Sequence, residues 1–173
     1  MNVRPTSDRL RETLFNVIAA RMEGARLLDL CAGSGAIGIE ALSRGAAYVT
    51  FVDQSRKMCG LIETNLDLLE IPEEQTEVIH SEASEFLRQS VRRKTQPWDI
   101  VFLDPPYSTD YLRLLEYFAS HAAEFLAIDG LLIVEHHRKN ALSDRIGTII
   151  RSRILKQGDS ALSFYRNALD SEG

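Results

Sequence analysis

Residues 26–38 have the sequence RLLDLCAGSGAIG, in which an apolar strand leads directly into a loop of three glycines. Gly33, Gly35 and Gly38 have the spacing GxGxxG, which lets the backbone approach a ligand closely where a strand passes into a helix. Asp53 ends the next apolar segment, where an acidic residue can accept hydrogen bonds from ribose hydroxyls. This stretch therefore predicts a site for a ligand that contains adenosine, and NAD is one such ligand.

Apolar strand-like segments and amphipathic helix-like segments alternate along the chain. The predicted strands cover residues 26–32, 48–53, 76–80, 98–104, 131–135, 148–156 and 161–166. The predicted helices cover residues 6–22, 36–44, 55–70, 84–93 and 111–126. This alternation predicts βαβ crossovers, and hence an α/β fold with a doubly wound, mostly parallel sheet of seven strands. The last two strands predict a C-terminal antiparallel hairpin, the layout of the Rossmann-like class I S-adenosylmethionine methyltransferase fold.

The length and composition fit one domain. The chain has 173 residues, of which 45% are hydrophobic and 26% are charged, so it can bury a core of ordinary size. We expect residues 1–173 to form a single methyltransferase domain. Within it, residues 1–25 are an N-terminal helical segment, residues 26–136 the cofactor-binding and catalytic core, and residues 148–166 the C-terminal hairpin.

Composition also restricts the cellular setting. No apolar run approaches the ~18 residues that span a bilayer, and the N-terminus has no apolar signal-peptide core. We therefore expect a cytoplasmic protein with no membrane partner. The two cysteines, Cys31 and Cys59, have no ligand-like partners in sequence and are expected to be buried apolar groups in a reducing compartment. No metal site is expected.

The charges are unevenly distributed. The formal net charge is −5, which argues mildly against a nucleic-acid partner. Residues 63–85, however, hold eight acidic and no basic groups, whereas residues 138–156 hold six basic groups and one acidic group. Such segregation can present a basic surface to phosphates, although an ordinary solvated surface explains it as well.

A second motif, Asp104-Pro105-Pro106-Tyr107, follows the apolar segment 98–103. Proline fixes φ and lacks a backbone N–H, so the Asp104 carboxylate and the Pro105 carbonyl are left as hydrogen-bond acceptors. The Tyr107 ring offers a face on which a base can stack. Two acceptors suit the two hydrogens of an exocyclic amine, while a simple strand-to-helix turn explains the motif, taken alone, equally well.

Together the two motifs favour a methyl donor over a dinucleotide. Asp29 directly precedes the glycine loop, where a carboxylate would repel a pyrophosphate but suits the ammonium and sulfonium groups of S-adenosylmethionine. The Asp104 motif has no evident part in hydride transfer. We therefore predict S-adenosylmethionine as the cofactor and an amine as the methyl acceptor, with an NAD-dependent dehydrogenase as the competing interpretation.

Three segments resemble one known family. They are RPTSDRLRETLFN at residues 4–16, DLCAGSGAIGIEALSRGA at residues 29–46 and FLDPPY at residues 102–107. All three are similar, in order and spacing, to signatures of the RsmD family of 16S rRNA guanine-N2 methyltransferases. The resemblance extends over about residues 3–166. It implies the class I fold, S-adenosylmethionine, and methyl transfer to the N2 amine of one guanine in small-subunit rRNA.

The resemblance also implies roles for individual residues. Ten residues are expected to bind the cofactor, at its methionine end, its ribose or its adenine, or in a segment that closes over it. They are Thr6, Asp29, Ala32, Gly33, Ser34, Gly35, Asp53, Gln54, Glu82 and Ala83. The expected catalytic residues are Asp104, Pro105, Pro106 and Tyr107. The expected partner is 16S rRNA within the small ribosomal subunit or an assembly intermediate, and the enzyme is expected to be a monomer.

Two other functions remain open. An adenine-N6 methyltransferase on DNA or RNA would use the same two acceptors, and a catalytically silent RNA-binding paralogue would keep only the fold. Family members usually carry a basic RNA-gripping hairpin ahead of residue 4, so either the start at Met1 is a shortened one or the hairpin is absent. At the end of the fifth strand, Glu135 is expected to face the crevice, whereas His136 and His137 are not expected to be catalytic.

Overall fold

The computed structural model describes residues 7–106 and 110–172 of the chain. An eight-stranded sheet forms its centre, in the order β3-β2-β1-β4-β5-β8-β7-β6. The strands are β1 (Arg26–Leu30), β2 (Tyr48–Asp53), β3 (Thr76–His80), β4 (Trp98–Leu103), β5 (Leu126–His137), β6 (Arg145–Ile146), β7 (Ile149–Gln157) and β8 (Ser160–Asn167). The first five strands are parallel and the last three pair antiparallel.

The predicted α/β fold and the C-terminal antiparallel hairpin are confirmed, but the predicted number of seven strands is wrong. The additional strand, β6, has only two residues, and it pairs with Ile149 and Ile150 of β7. A run of two residues cannot show the alternation by which a strand is recognised in sequence, because the pattern needs at least about four residues.

Helices cover both faces of the sheet. They are α1 (Asp8–Val17), α2 (Ala36–Ser43), α3 (Arg56–Leu68), α4 (Ala83–Arg93), α5 (Tyr111–Ser120) and α6 (Ala122–Phe125), with 3₁₀ turns at Ala19–Arg21, Glu73–Gln75 and Ala168–Glu172. One apolar core joins α1, α2 and α3 to one face of the sheet, and a second core joins α4, α5 and α6 to the other face. The predicted double winding is therefore confirmed. In the described part of the chain, none of these helices is long and apolar enough to cross a membrane.

Two predicted helices differ from the observed ones. The helix predicted over residues 6–22 begins at Asp8, because the Ser7 side chain accepts a hydrogen bond from the Leu10 N–H at 3.1 Å and caps it, and it ends at Val17. The helix predicted over residues 111–126 is interrupted at His121, where the backbone has φ −129° and ψ 26°. Apolar spacing continues across both breaks, so periodicity alone does not locate them.

The fifth strand begins earlier than predicted. Asp129 and Gly130, which come just before the predicted strand at residues 131–135, form an irregularity inside β5, with Asp129 at φ 65°. Pairing with β4 shifts there, because Trp98 pairs with Leu126 but Ile100 pairs with Leu131. A Cβ on Gly130 would lie 2.9 Å from the Ala127 carbonyl oxygen, so only glycine fits. Such a bulge bends a strand without ending it.

The strand order places a crevice at the centre of the sheet. The chain runs outward from β1 through β2 to β3, and then returns to β4 on the other side of β1. The loops that follow β1 and β4 therefore leave in opposite directions. In open α/β sheets, ligands bind in the crevice that forms at the carboxyl ends of strands at this reversal.

Candidate functional site

A cavity of about 880 Å³ lies at the carboxyl edge of the sheet, at this reversal of strand order. It brings together two segments that the sequence analysis predicted separately, the loop after β1 and the motif after β4. Eight of the predicted site residues line it: Gly33, Asp53, Gln54, Glu82, Ala83, Asp104, Pro105 and Pro106. Thr6 and Tyr107 lie outside the described residues, so their predicted roles stay predictions.

The loop after β1 is held by Asp53 at the end of β2. The Gly33 N–H donates a hydrogen bond to Asp53 Oδ2 at 2.8 Å, and the Ser55 N–H donates to Asp53 Oδ1 at 2.8 Å. Gly33 and Gly35 have φ of 57° and 83°, in the left-handed region that favours glycine. A carboxylate has about four lone-pair sites, so both oxygens of Asp53 keep capacity for ligand hydroxyls.

Asp29 supports this loop from behind. Its carboxyl is 2% exposed, and the Gly38 N–H donates a hydrogen bond to its Oδ2 at 3.1 Å. Burial raises the pKa of Asp29 from 3.8 to about 7; the Gly38 hydrogen bond opposes this rise and the Asp53 charge adds to it. Among the residues described as lining the cavity, four of the predicted cofactor residues do not appear: Asp29, Ala32, Ser34 and Gly35.

The second wall of the cavity follows β2 and β3. Ser81, Glu82 and Ala83 come directly after β3, and Met58 of α3 adds an apolar side chain. His80 Nε2 lies 3.0 Å from the Gln54 carbonyl oxygen, which ties the ends of the two strands together. Met58 and Ala83 give this mostly polar wall apolar side chains against which a flat heterocycle can pack.

The motif after β4 forms the opposite wall. Pro105 is buried, and Asp104 and Pro106 are half-buried. The Asp104 N–H lies 3.4 Å from the Leu30 carbonyl oxygen, so the motif starts beside the end of β1. Leu30 and Leu103, the last residues of β1 and β4, pair with each other. The glycine loop and the Asp104 motif therefore follow neighbouring strands. The side chain of Tyr111, which sequence reasoning did not single out, also lines this wall.

The end of β5 closes the cavity. Glu135, which was expected to face the crevice, lines it together with His136 and His137. His136 Nε2 lies 2.8 Å from Ser163 Oγ, and His136 Nδ1 lies 3.0 Å from the His137 carbonyl oxygen. Burial lowers the pKa of His136. Both ring nitrogens are engaged, which suits a structural role rather than proton transfer.

Cys31, which was expected to be a buried apolar group, lies at the surface of the cavity and packs against the core beneath α4, α5 and α6. It has φ 67° and is half-buried. Burial and the nearby charges of Asp53 and Asp104 raise the pKa of its thiol, so it is not a thiolate nucleophile. Cys59 is buried, as expected. No cluster of three or more potential metal ligands occurs within the described ranges.

Sequence reasoning missed much of the cavity lining. Ser81 directly follows a strand, and Ser84 and Tyr111 lie at the start of helices. Residues at such places often line ligand sites in α/β folds, so the sequence could have indicated these three. The helix bodies and the hairpin contribute residues with no local signal, because only packing brings them to this edge. The further lining residues that were not predicted are Val52, Ser55, Met58, Arg88, Asp110, Arg113, Leu114, Tyr117 and Ser160.

The segregated charges lie at opposite edges of the sheet. The acidic stretch, residues 63–85, covers the end of α3, β3 and the start of α4, and β3 is one edge strand. The basic stretch, residues 138–156, includes β6 and most of β7 at the other edge. Arg88 and Arg113 line the cavity itself. A polyanion could therefore reach the cavity from the basic edge despite the negative net charge.

Residues 1–166 match the family described as conserved hypothetical protein 95. The chain belongs to this family. It is 34% identical over 165 residues to a provisionally named rRNA methyltransferase of Bacillus subtilis, covering 95% of this chain and 88% of the relative. It is 40% identical over 144 residues to ribosomal RNA small subunit methyltransferase D of Escherichia coli, covering 81% of this chain and 67% of the relative.

Solved structures agree with the family assignment. A provisionally named methyltransferase from Escherichia coli has a TM-score of 0.81 and 34% identity, covering 96% of this chain and 90% of that chain. An S-adenosylmethionine-dependent methyltransferase from Agrobacterium tumefaciens has a TM-score of 0.69 at 20% identity, covering 96% and 63% of the two chains, and shares the fold. The predicted membership of the RsmD family of rRNA methyltransferases is confirmed, and so is the S-adenosylmethionine-dependent methyltransferase fold.

Proposed function

We propose that this protein transfers the methyl group of S-adenosylmethionine to the N2 amine of a guanine in small-subunit rRNA. One observation carries the proposal: a single cavity contains both the Asp53-anchored glycine loop and the Asp104-Pro105 acceptors. The relatives named ribosomal RNA small subunit methyltransferase D support small-subunit rRNA as the substrate, and the resemblance to the RsmD family implies guanine N2 as the methyl acceptor. We further propose that one domain over residues 1–173 acts as a monomer in the cytoplasm.

The residues present fit the cofactor. The cavity volume of about 880 Å³ falls within the range of about 300–1,000 Å³ usual for ligand sites. Asp53 would hold the ribose hydroxyls, Glu82 and Ala83 would flank the adenine, and the Gly33 backbone would face the methionine portion. Asp29 would act through the loop that it supports. When bound there, S-adenosylmethionine supplies an electrophilic methyl group on a positively charged sulfur.

The acceptor motif would orient the amine. The Asp104 carboxylate and the Pro105 carbonyl can each accept one N–H of the guanine N2. The lone pair of an aromatic amine is delocalised into the ring, and two such hydrogen bonds favour a more pyramidal nitrogen whose lone pair points at the methyl group. Positioning of this kind supplies several kcal/mol without covalent catalysis. Asp104 can also receive the proton that the amine loses, either directly or through water.

The RNA must present an unstacked base. Unstacking costs a few kcal/mol in a duplex and less in a loop, and stacking on an aromatic side chain offsets part of that cost. We propose that Tyr107 provides this surface. Arg88 and Arg113 in the cavity lining, together with the basic edge at residues 138–156, would bind flanking phosphates.

The decisive experiment combines labelled S-adenosylmethionine with small ribosomal subunits that lack the modification, followed by nucleoside analysis. We expect label in N2-methylguanosine for the unaltered protein. Asp104→Ala should abolish transfer while leaving the cofactor Kd within about tenfold, because the carboxylate acts on the amine and not on the cofactor. Asp67→Ala removes an exposed carboxylate on α3, outside the cavity, and is the matched control.

Each other result has a distinct meaning. Label in N6-methyladenosine would refute the guanine assignment and favour the adenine-N6 alternative, which uses the same acceptors. RNA binding without any transfer would favour a silent RNA-binding paralogue. Loss of cofactor binding in Asp104→Ala would show that Asp104 belongs to the cofactor site.

A further inference from the structure

Tyr111 occupies a position from which it can reach the acceptor motif. It is the first residue of α5, directly after the cap residue Asp110, whose Oδ1 accepts a hydrogen bond from the Arg113 N–H at 3.2 Å. Side chains in a helix lean toward its N-terminus, so the ring of Tyr111 leans back over the end of β4. It is half-buried and lines the cavity.

The Tyr111 hydroxyl lies between two backbone carbonyls of the cavity wall. It lies 3.2 Å from the Pro105 carbonyl oxygen and 3.5 Å from the Glu135 carbonyl oxygen. A phenol has one hydrogen to donate, and the shorter distance favours Pro105. A carbonyl oxygen has two lone pairs, so a hydrogen bond from Tyr111 leaves one of them for a ligand.

The sheet itself does not orient this carbonyl. The pairing of β4 with β5 ends at Leu103 and Val134, two residues before Pro105. Neither Pro105 nor Pro106 has a backbone N–H that could tie the motif to a neighbouring strand. Tyr111 spans the gap, because its hydroxyl contacts the chain beyond the end of β4 and the chain near the end of β5.

We propose that Tyr111 is a positioning residue for methyl transfer, whose hydroxyl fixes the Pro105 carbonyl so that its remaining lone pair faces the substrate amine. The inference rests on the proposed function, since it needs Pro105 as an amine acceptor. Tyr111 does not contact the reacting atoms in this role. It acts through the carbonyl, and its hydroxyl is the only group that the role requires.

The test is Tyr111→Phe, which removes the hydroxyl and keeps the ring. At saturating cofactor and small subunits, kcat should fall about fivefold to tenfold, since a misplaced acceptor loses about one hydrogen bond in the transition state. The KM for the subunits should rise by less than about twofold, and the Kd for S-adenosylmethionine and the Tm should stay unchanged. The matched control is Tyr165→Phe, which removes a hydroxyl that donates to the Ser143 carbonyl at 2.7 Å, outside the cavity.

The outcomes separate the inference from the proposed function. If the unaltered protein methylates guanine N2 and Tyr111→Phe keeps its kcat within about twofold, the inference is overturned. An equal fall of kcat in Tyr165→Phe, or a parallel loss of cofactor affinity in Tyr111→Phe, would also overturn it, because either points to a general structural effect. No methylation by the unaltered protein would instead refute the proposed function.

Discussion

Gly38 is the third glycine of the GxGxxG motif and lies in the first turn of α2, where it allows the helix to pack tightly on the sheet. A Cβ built on it would lie 2.3 Å from Phe51 Cε1 and 2.8 Å from Val49 Cγ1. Ordinary contact begins at 3.4 Å, so the helix or the ring must move by about 1 Å. Phe51 and Val49 are both fully buried, so a shift of either side chain must displace its neighbours in a close-packed core.

The expected magnitude for Gly38→Ala follows from two opposing terms. Alanine favours a helix over glycine by about 1 kcal/mol, whereas overpacking a buried contact costs about 1–3 kcal/mol and sometimes more. We expect a net loss of about 2 kcal/mol, which lowers the Tm by roughly 4–8 °C in a domain of this size. Because α2 begins at the glycine loop, its displacement should also weaken cofactor binding several-fold.

Gly60→Ala is the matched control. Gly60 lies inside α3, is exposed, and has no atom within 4 Å of a Cβ built on it. The same substitution there should raise stability by about 0.5–1 kcal/mol through helix propensity alone. Urea unfolding gives the free energy of unfolding of both variants, calorimetry gives the Tm, and titration with S-adenosylmethionine gives the cofactor affinity. If Gly38→Ala is as stable as Gly60→Ala and binds the cofactor equally well, the account of tight packing fails.

Three further predictions follow. Because the pKa of Asp29 is raised from 3.8 to about 7 on folding, the folded protein holds a proton that the unfolded chain releases, so stability falls as pH rises between these values. Asp29→Asn should remove this decline, so at about pH 8 the variant should be more stable to urea than the unaltered protein. An unchanged decline would show that Asp29 is not the group that causes it. Ser7→Ala should cost about 1 kcal/mol by loss of the α1 cap, measured the same way, and a loss below about 0.3 kcal/mol would show the cap to be unimportant. Replacing Lys139, Arg153 and Lys156 together by Ala should weaken binding to small subunits and lower the slope of log K against log salt by about 2–3; an unchanged slope would place the RNA elsewhere.

Local sequence predicted the elements well and their ends less well. Strands β2 and β3 and the glycine loop were predicted at their observed positions, because buried strands and turn glycines have strong local signals. The two residues of β6, the break at His121 and the bulge at Asp129 were missed. Each of these three features depends on the neighbouring element with which the segment packs or pairs. The periodicity of the local sequence contains no information about that neighbour.

The same division applies to the candidate site. Asp104, Pro105 and Asp53 were predicted because their residue types and strand-end positions imply their chemistry. The sequence also predicted a cofactor contact for Asp29, which stays a prediction. In the structure Asp29 is buried and accepts a hydrogen bond from the Gly38 N–H, and burial raises the pKa of its carboxyl. Tyr111 was missed, because an aromatic residue at a helix start suggests core packing until the position of its hydroxyl is known.

The order of strands and helices along the chain, the glycine loop, the Asp104-Pro105 motif and the family of the chain all followed from the amino-acid sequence. These properties reside in contiguous residues, whose types and spacing restrict both backbone and chemistry. The fold alone shows how the loop after β1 and the motif after β4 share one cavity, and which side chains support them. That arrangement comes from the reversal of strand order and the packing of α2 and α5 on the sheet, which depend on residues far apart in the chain.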